Sequence, residues 1–196
     1  MEARWQKLCE TIGVEGGREW ERITQAYREP GRAYHNLDHI ADCLTQLDRH
    51  GDAFEDVVSV EFAFWFHDVV YDTRANDNEE RSADWACNFL DGQPCTEKVR
   101  ALILSTKHHQ PIDQCDGALI VDIDLSILGS DSDRYDLYAK AIREEYHWVE
   151  NSAYRKGRGN VLRSFLDREF IYHTPSFRKD LETMAQQNIR RELEAY

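Results

Sequence analysis

Basic side chains are scarce in this chain: 24 lysines and arginines stand against 37 aspartates and glutamates, a formal net charge of −13. Binding a nucleic-acid polymer requires clustered cations, so this balance speaks against such a partner. It leaves room for a small phosphorylated molecule, which a metal ion and a few local cations suffice to hold. Long apolar runs are also missing. The longest, Val60-Glu61-Phe62-Ala63-Phe64-Trp65-Phe66, is far short of a membrane span, so no membrane association is expected. The opening residues, Met1-Glu2-Ala3-Arg4-Trp5, lack the layout of a secretion signal. Five scattered cysteines, an odd number without a C-x-x-C pair, make no disulfide framework and read as reduced thiols of a cytoplasmic protein. Repeats, low-complexity tracts, long linkers and two-residue alternation are absent as well, which argues against a β architecture.

What is present is a chain of 196 residues, 41% hydrophobic and 31% charged, the size and balance of one globular domain over 1–196. The periodicity predicts an all-α bundle. Helices are expected over Ala3–Thr11, Gly17–Tyr27, Asn36–Arg49, Phe54–His67, Glu79–Leu90, Thr96–His108, Ala118–Leu128, Ser130–Tyr146, Val161–Phe170 and Ser176–Glu194. Thr96 is the expected cap of its helix, and Gly129 the stop of the Ala118–Leu128 segment. The Phe54–His67 segment is apolar on most sides and should lie at the centre, with Trp65 and Trp148 in the core.

That central segment ends in His67-Asp68, two titratable residues with little structural reason to close an apolar helix. Upstream stands Tyr34-His35-Asn36-Leu37-Asp38-His39, downstream Val121-Asp122-Ile123-Asp124-Leu125. Imidazole nitrogens and carboxylate oxygens together suit zinc, iron, manganese or cobalt better than calcium. His35 and His39 are four residues apart, on one helical face. If His39 holds a metal, His35 lies just beyond the ion, in position to protonate a leaving group or to serve as a cap. Asp122 or Asp124 would close the shell from another helix.

The order His39, His67-Asp68, Asp124 resembles the H…HD…D signature of the HD superfamily of metal-dependent phosphohydrolases. Tyr34-His35-Asn36-Leu37-Asp38-His39 is similar to the YHNxxH segment of cyclic-nucleotide phosphodiesterases within that superfamily. Trp65–Asp72, Asp77–Ala83 and Asp122–Gly129 resemble a bacterial group described as predicted HD phosphohydrolases, over most of the chain. The resemblance implies an HD-type helical bundle with His39, His67, Asp68 and Asp124 as ligands and His35 as general acid. It favours Asp124 over Asp122. The chain is far shorter than a phosphodiesterase catalytic domain, so cyclic-nucleotide specificity does not carry over.

The implied chemistry is hydrolysis of a phosphoester or phosphoanhydride by metal-activated water. The cofactor is one or two divalent ions of Mn, Mg, Co, Zn, Ni or Fe, and the substrate a small phosphorylated metabolite, by expectation a nucleotide. Asp68 serves also as a bridge to a second ion or holds the attacking water. Glu79 follows the HD helix through a polar loop as a candidate water-positioning carboxylate. Lys107, His108 and Arg158 are candidate substrate contacts, with His109 competing with His108 for a place in the site. Arg155, Lys156, Arg158 and Arg163, interrupted by Gly157 and Gly159, form a phosphate-binding loop or a solvated helix start. Two alternatives stand beside this reading: a diiron oxygenase of HD fold, which needs extra histidine ligands, and a metal- or nucleotide-binding sensor without turnover. The oligomeric state stays open, a homodimer included.

Overall fold

In the computed structural model, which describes residues 1–196, ten α-helices are joined by turns and two short 3₁₀ segments, without a β-strand. They are α1 (Glu2–Thr11), α2 (Gly17–Tyr27), α3 (Leu37–His50), α4 (Val57–Phe66), α5 (Asn78–Phe89), α6 (Thr96–Thr106), α7 (Asp116–Asp124), α8 (Ser132–Glu145), α9 (Asn151–Leu166) and α10 (Pro175–Glu194). The 3₁₀ segments are Gly51–Ala53 and Leu125–Gly129. No helix is long and apolar enough to cross a membrane.

Local chemistry sets many of the starts. Asn36 accepts from the Asp38 N–H ahead of α3, Asp56 from Ser59 ahead of α4, and Asp131 from Arg134 ahead of α8. Pro175 supplies the first residue of α10, where its missing N–H costs no hydrogen bond. Every residue of α4 from Ser59 to Phe66 is buried, as an all-round apolar helix requires. It packs among α1, α3, α5, α6 and α7. Trp5 of α1 meets Phe62 and Trp65 edge-on, with ring centroids 5.8 and 5.7 Å apart. Glu61, the one charged residue within α4, takes the Arg4 guanidinium at 2.8 and 3.0 Å. At the other end of the bundle α10 lies tight on the Leu125–Gly129 turn. A Cβ on Gly129 would stand 2.6 Å from that of Leu181, so only glycine allows this approach.

Some sequence expectations fail for definable reasons. The ninth helix starts at Asn151 rather than Val161, because the Arg155–Gly159 stretch is helical, not a loop. Glu150 caps it by accepting from Ser152 and Ala153, and Tyr154, Leu162 and Phe165 bury one face. That packing overrides the roughly 0.5–1 kcal/mol by which each interior glycine disfavours helix relative to alanine. Thr96 does not cap α6; it is the first helical residue, and its hydroxyl donates to the carbonyls of Leu90 and Gln93. The same helix stops at Thr106, short of His108. Trp65 is in the core as expected, but Trp148 stands 43% exposed, its indole N–H donating to Thr73 and Arg74 lying over its ring.

Candidate metal centre

Three helices bring the H…HD…D residues together. His39 is on the first turn of α3, His67 and Asp68 follow α4 directly, and Asp124 ends α7. The Nε2 atoms of His39 and His67 face each other at 3.2 Å. Asp124 Oδ1 lies 3.3 Å from the first and 3.6 Å from the second. Asp68 Oδ2 lies 2.9 Å from His67 Nε2 and 3.7 Å from His39 Nε2. Donors held at about 2.1 Å from one ion stand roughly 3.0–3.4 Å from each other in octahedral or tetrahedral geometry. Two of the observed spacings, 3.2 and 3.3 Å, fall in that range, and the others, 2.9, 3.6 and 3.7 Å, lie close to it. His39, His67 and Asp68 therefore form a group able to hold a metal ion, with Asp124 adjoining it.

The tautomer supports the same conclusion. His67 Nδ1 lies 3.0 Å from the Phe64 carbonyl, which can only accept, so Nδ1 carries the proton and Nε2 of the neutral ring offers its lone pair to the cluster. A lone pair beside a carboxylate oxygen at 2.9 Å requires a positive charge between them. Burial opposes charging the His67 ring, but Asp68 and Asp124 outweigh it and raise its pKa well above the ordinary value. Burial likewise works against an ionised Asp124, yet hydrogen bonds from His109, His39 and His67 hold its pKa well below the usual range. A proton or a metal cation satisfies this arrangement; imidazoles and carboxylates alone do not. Cys43, one turn beyond His39, places Sγ 3.8 Å from His39 Nε2, and burial keeps it a thiol.

Two features fix the surroundings. Arg32, which no motif singles out, sends its guanidinium to the carbonyls of Asp68, His35 and Val69 at 2.6, 3.2 and 2.9 Å. It ties the HD turn to the segment that carries His35. Glu145, at the end of α8, is buried and accepts from His35 Nδ1 at 2.7 Å, from the N–H groups of Tyr34 and His35 at 2.7 and 2.9 Å, and from the Tyr71 hydroxyl at 2.9 Å. The Tyr71 ring stacks on that of His35, with centroids 4.3 Å apart. Burial disfavours a charged His35, but the carboxylates of Asp68 and Glu145 overcome it and raise its pKa. No local motif points to Glu145, because its partner is more than a hundred residues away.

The centre opens into a cavity of about 590 Å³, within the range of small-molecule sites. His35, Asp68, Asp124 and Glu79 line it. Lys107 and Arg158 line it too, but both are engaged. Lys107 binds Glu80 and the Asn76 carbonyl, and Arg158 binds Glu192 through Nε and Nη2 at 2.9 and 3.2 Å. His108 corrects the sequence expectation: it is exposed and lies outside the cavity wall. Its neighbour His109 takes the place, with a left-handed backbone (φ 49°) and Nε2 3.4 Å from Asp124 Oδ2. Asp122 points elsewhere, accepting from the N–H groups of His173 and Thr174 and from the Thr174 hydroxyl, each at 2.7 Å. Comparisons with protein-family models, with curated proteins and with solved structures return no match, so this geometry is what characterises the chain.

Proposed function

We propose that the chain is a metal-dependent phosphohydrolase of HD type, acting on a small phosphorylated molecule. One observation carries this reading: the His39, His67, Asp68 and Asp124 donors converge, and Asp68 and Asp124 share one cavity wall with His35, whose Nδ1 is held by Glu145. A divalent ion bound there would polarise a phosphoryl oxygen and activate water. His35 donates the proton that the leaving oxygen needs. Its Nδ1 is held by Glu145, which leaves Nε2 as the donating atom. Glu145 and the stacked Tyr71 fix the ring, and the negative neighbours favour its protonated form. Asp68 and Glu79 are both on the cavity wall, and in this reading they orient the attacking water.

The test is metal analysis of protein purified without added metal, followed by phosphate release from phosphorylated metabolites with added Mn²⁺. One exchangeable divalent ion and phosphate release that disappears in Asp68→Ala support the reading. Stable metal binding without turnover of any phosphate ester makes the chain a sensor instead. A second reading has its own observation. His109 Nε2 stands 3.4 Å from the far oxygen of Asp124, which supplies a further nitrogen for a second ion. Two irons per chain with a diiron spectrum would replace hydrolysis with oxidation.

A further inference from the structure

The polar lining of the cavity is His35, His109, Asp68 and Asp124 together with Glu79, Thr106 and the paired Lys107 and Arg158. Away from them its wall is built by Leu125, Ile127, Leu128, Ile142, Phe165 and a set of tyrosines. Along α9, Ala153, Gly157, Val161 and Phe165 repeat every fourth residue and so share the face that lines the cavity. Gly157 is the informative one. It sits inside a helix, where glycine is disfavoured, yet a Cβ there would meet nothing within 4 Å. Neither backbone conformation nor a neighbouring element requires glycine. Gly157 is solvent-exposed and lines the cavity, so the space it leaves open lies at the cavity's solvent edge. Val161, beside it, is an apolar side chain left 49% exposed on the same wall.

Polar recognition on this wall is sparse. The lining contains no asparagine or glutamine, the side chains that read the hydrogen-bonding edge of a base. Among the lining residues, the one buried polar atom without a hydrogen-bond partner is the Tyr154 hydroxyl. The two lining cations are paired with Glu80 and Glu192, which leaves no free charge for a second or third phosphate.

We infer that the substrate is a monophosphate ester of a bulky apolar alcohol, whose organic group lies between α9 and the Leu125–Gly129 turn while its single phosphoryl group faces the histidine–aspartate cluster. The inference deepens the phosphohydrolase reading and rests on it. The water oxygen bonds to phosphorus, the ester P–O bond breaks, and its electron pair stays on the departing oxygen, which takes the His35 proton. The products are the alcohol and inorganic phosphate.

Naphthylmethyl phosphate and AMP, both esters of primary alcohols, provide the matched comparison in the presence of Mn²⁺. The first should be cleaved with a kcat/KM about 100-fold above the second, with no phosphate released from ATP. In metal-free protein, calorimetry should detect naphthalenemethanol and not adenosine. Gly157→Leu, which fills the opening, should weaken that alcohol at least about tenfold while leaving the thermal midpoint no lower. Val161→Glu, at a half-exposed position, should do the same if the leucine variant fails to fold. AMP or ATP cleaved as well as the naphthyl ester, or unaltered alcohol affinity in a folded variant, overturns the substrate assignment and leaves the hydrolase standing. Alcohol binding without phosphate release from any ester overturns the hydrolase, while the cavity's preference for an apolar group survives.

Discussion

The two ends of α7 both carry buried aspartates, put to different uses. At the start, Asp116 accepts from the N–H groups of Glu55 and Asp56 at 2.8 and 3.1 Å and from Lys98 at 2.6 Å. Asp122, near the other end, accepts two N–H groups and a hydroxyl from His173–Thr174. Asp124, two residues on, faces ring nitrogens of His39, His67 and His109 at 3.3, 3.6 and 3.4 Å. A buried carboxylate satisfied by backbone donors is a brace, because its lone pairs are already used. One that faces ring nitrogens, among them the inward-turned Nε2 of His67, is suited to sharing a cation. Residue type does not separate these roles; the identity of the donors does, and Asp124 is also the one left partly exposed to the cavity.

The sharpest way to break that comparison is to remove a ligand at the imidazole end. His67→Ala or Asp124→Ala should abolish metal retention, measured by elemental analysis, and reduce turnover to background; full activity in either would refute the assignment. A smaller effect is expected one layer out. Glu145→Gln should lower turnover on the order of 10- to 100-fold without loss of metal. Removing the carboxylate takes away a group that favours the protonated His35 ring, so the His35 pKa falls. Because the proposed acid role needs the protonated ring, the basic limb of the pH–rate profile should move to lower pH. An unmoved limb would separate Glu145 from proton donation.

At the brace, the signature should be stability alone. Asp122→Ala orphans two N–H groups and should cost about 2–3 kcal/mol in urea unfolding while metal content holds. Loss of metal at unchanged stability would invert the roles of Asp122 and Asp124. The smallest effect is at the cavity mouth. Gly157→Ala should raise stability by about 0.5–1 kcal/mol, since its Cβ enters open space in a helix, and the thermal midpoint reads it directly.

Much of this was legible in the chain itself. The apolar run of α4 and the absence of alternation specify helices, and His35, His39 and His67-Asp68 supply the imidazole and carboxylate types of a candidate cation site. The start of α9 was not legible, because Gly157 and Gly159 read locally as loop while the Tyr154, Leu162 and Phe165 face is satisfied only against other helices. His108 and His109 are indistinguishable by neighbourhood; the left-handed turn at His109 decides which of them reaches Asp124.

The sequence alone determined the all-α class, the central helix and the set of residue types that suits a divalent ion, since periodicity and ligand chemistry are local properties. Tertiary structure decided which aspartate joins the cluster, which histidine borders it and that Glu145 holds His35. Those choices depend on donors from Thr174, a backbone turn at His109 and a carboxylate at the end of α8, groups far apart in the chain that only packing brings within hydrogen-bonding distance.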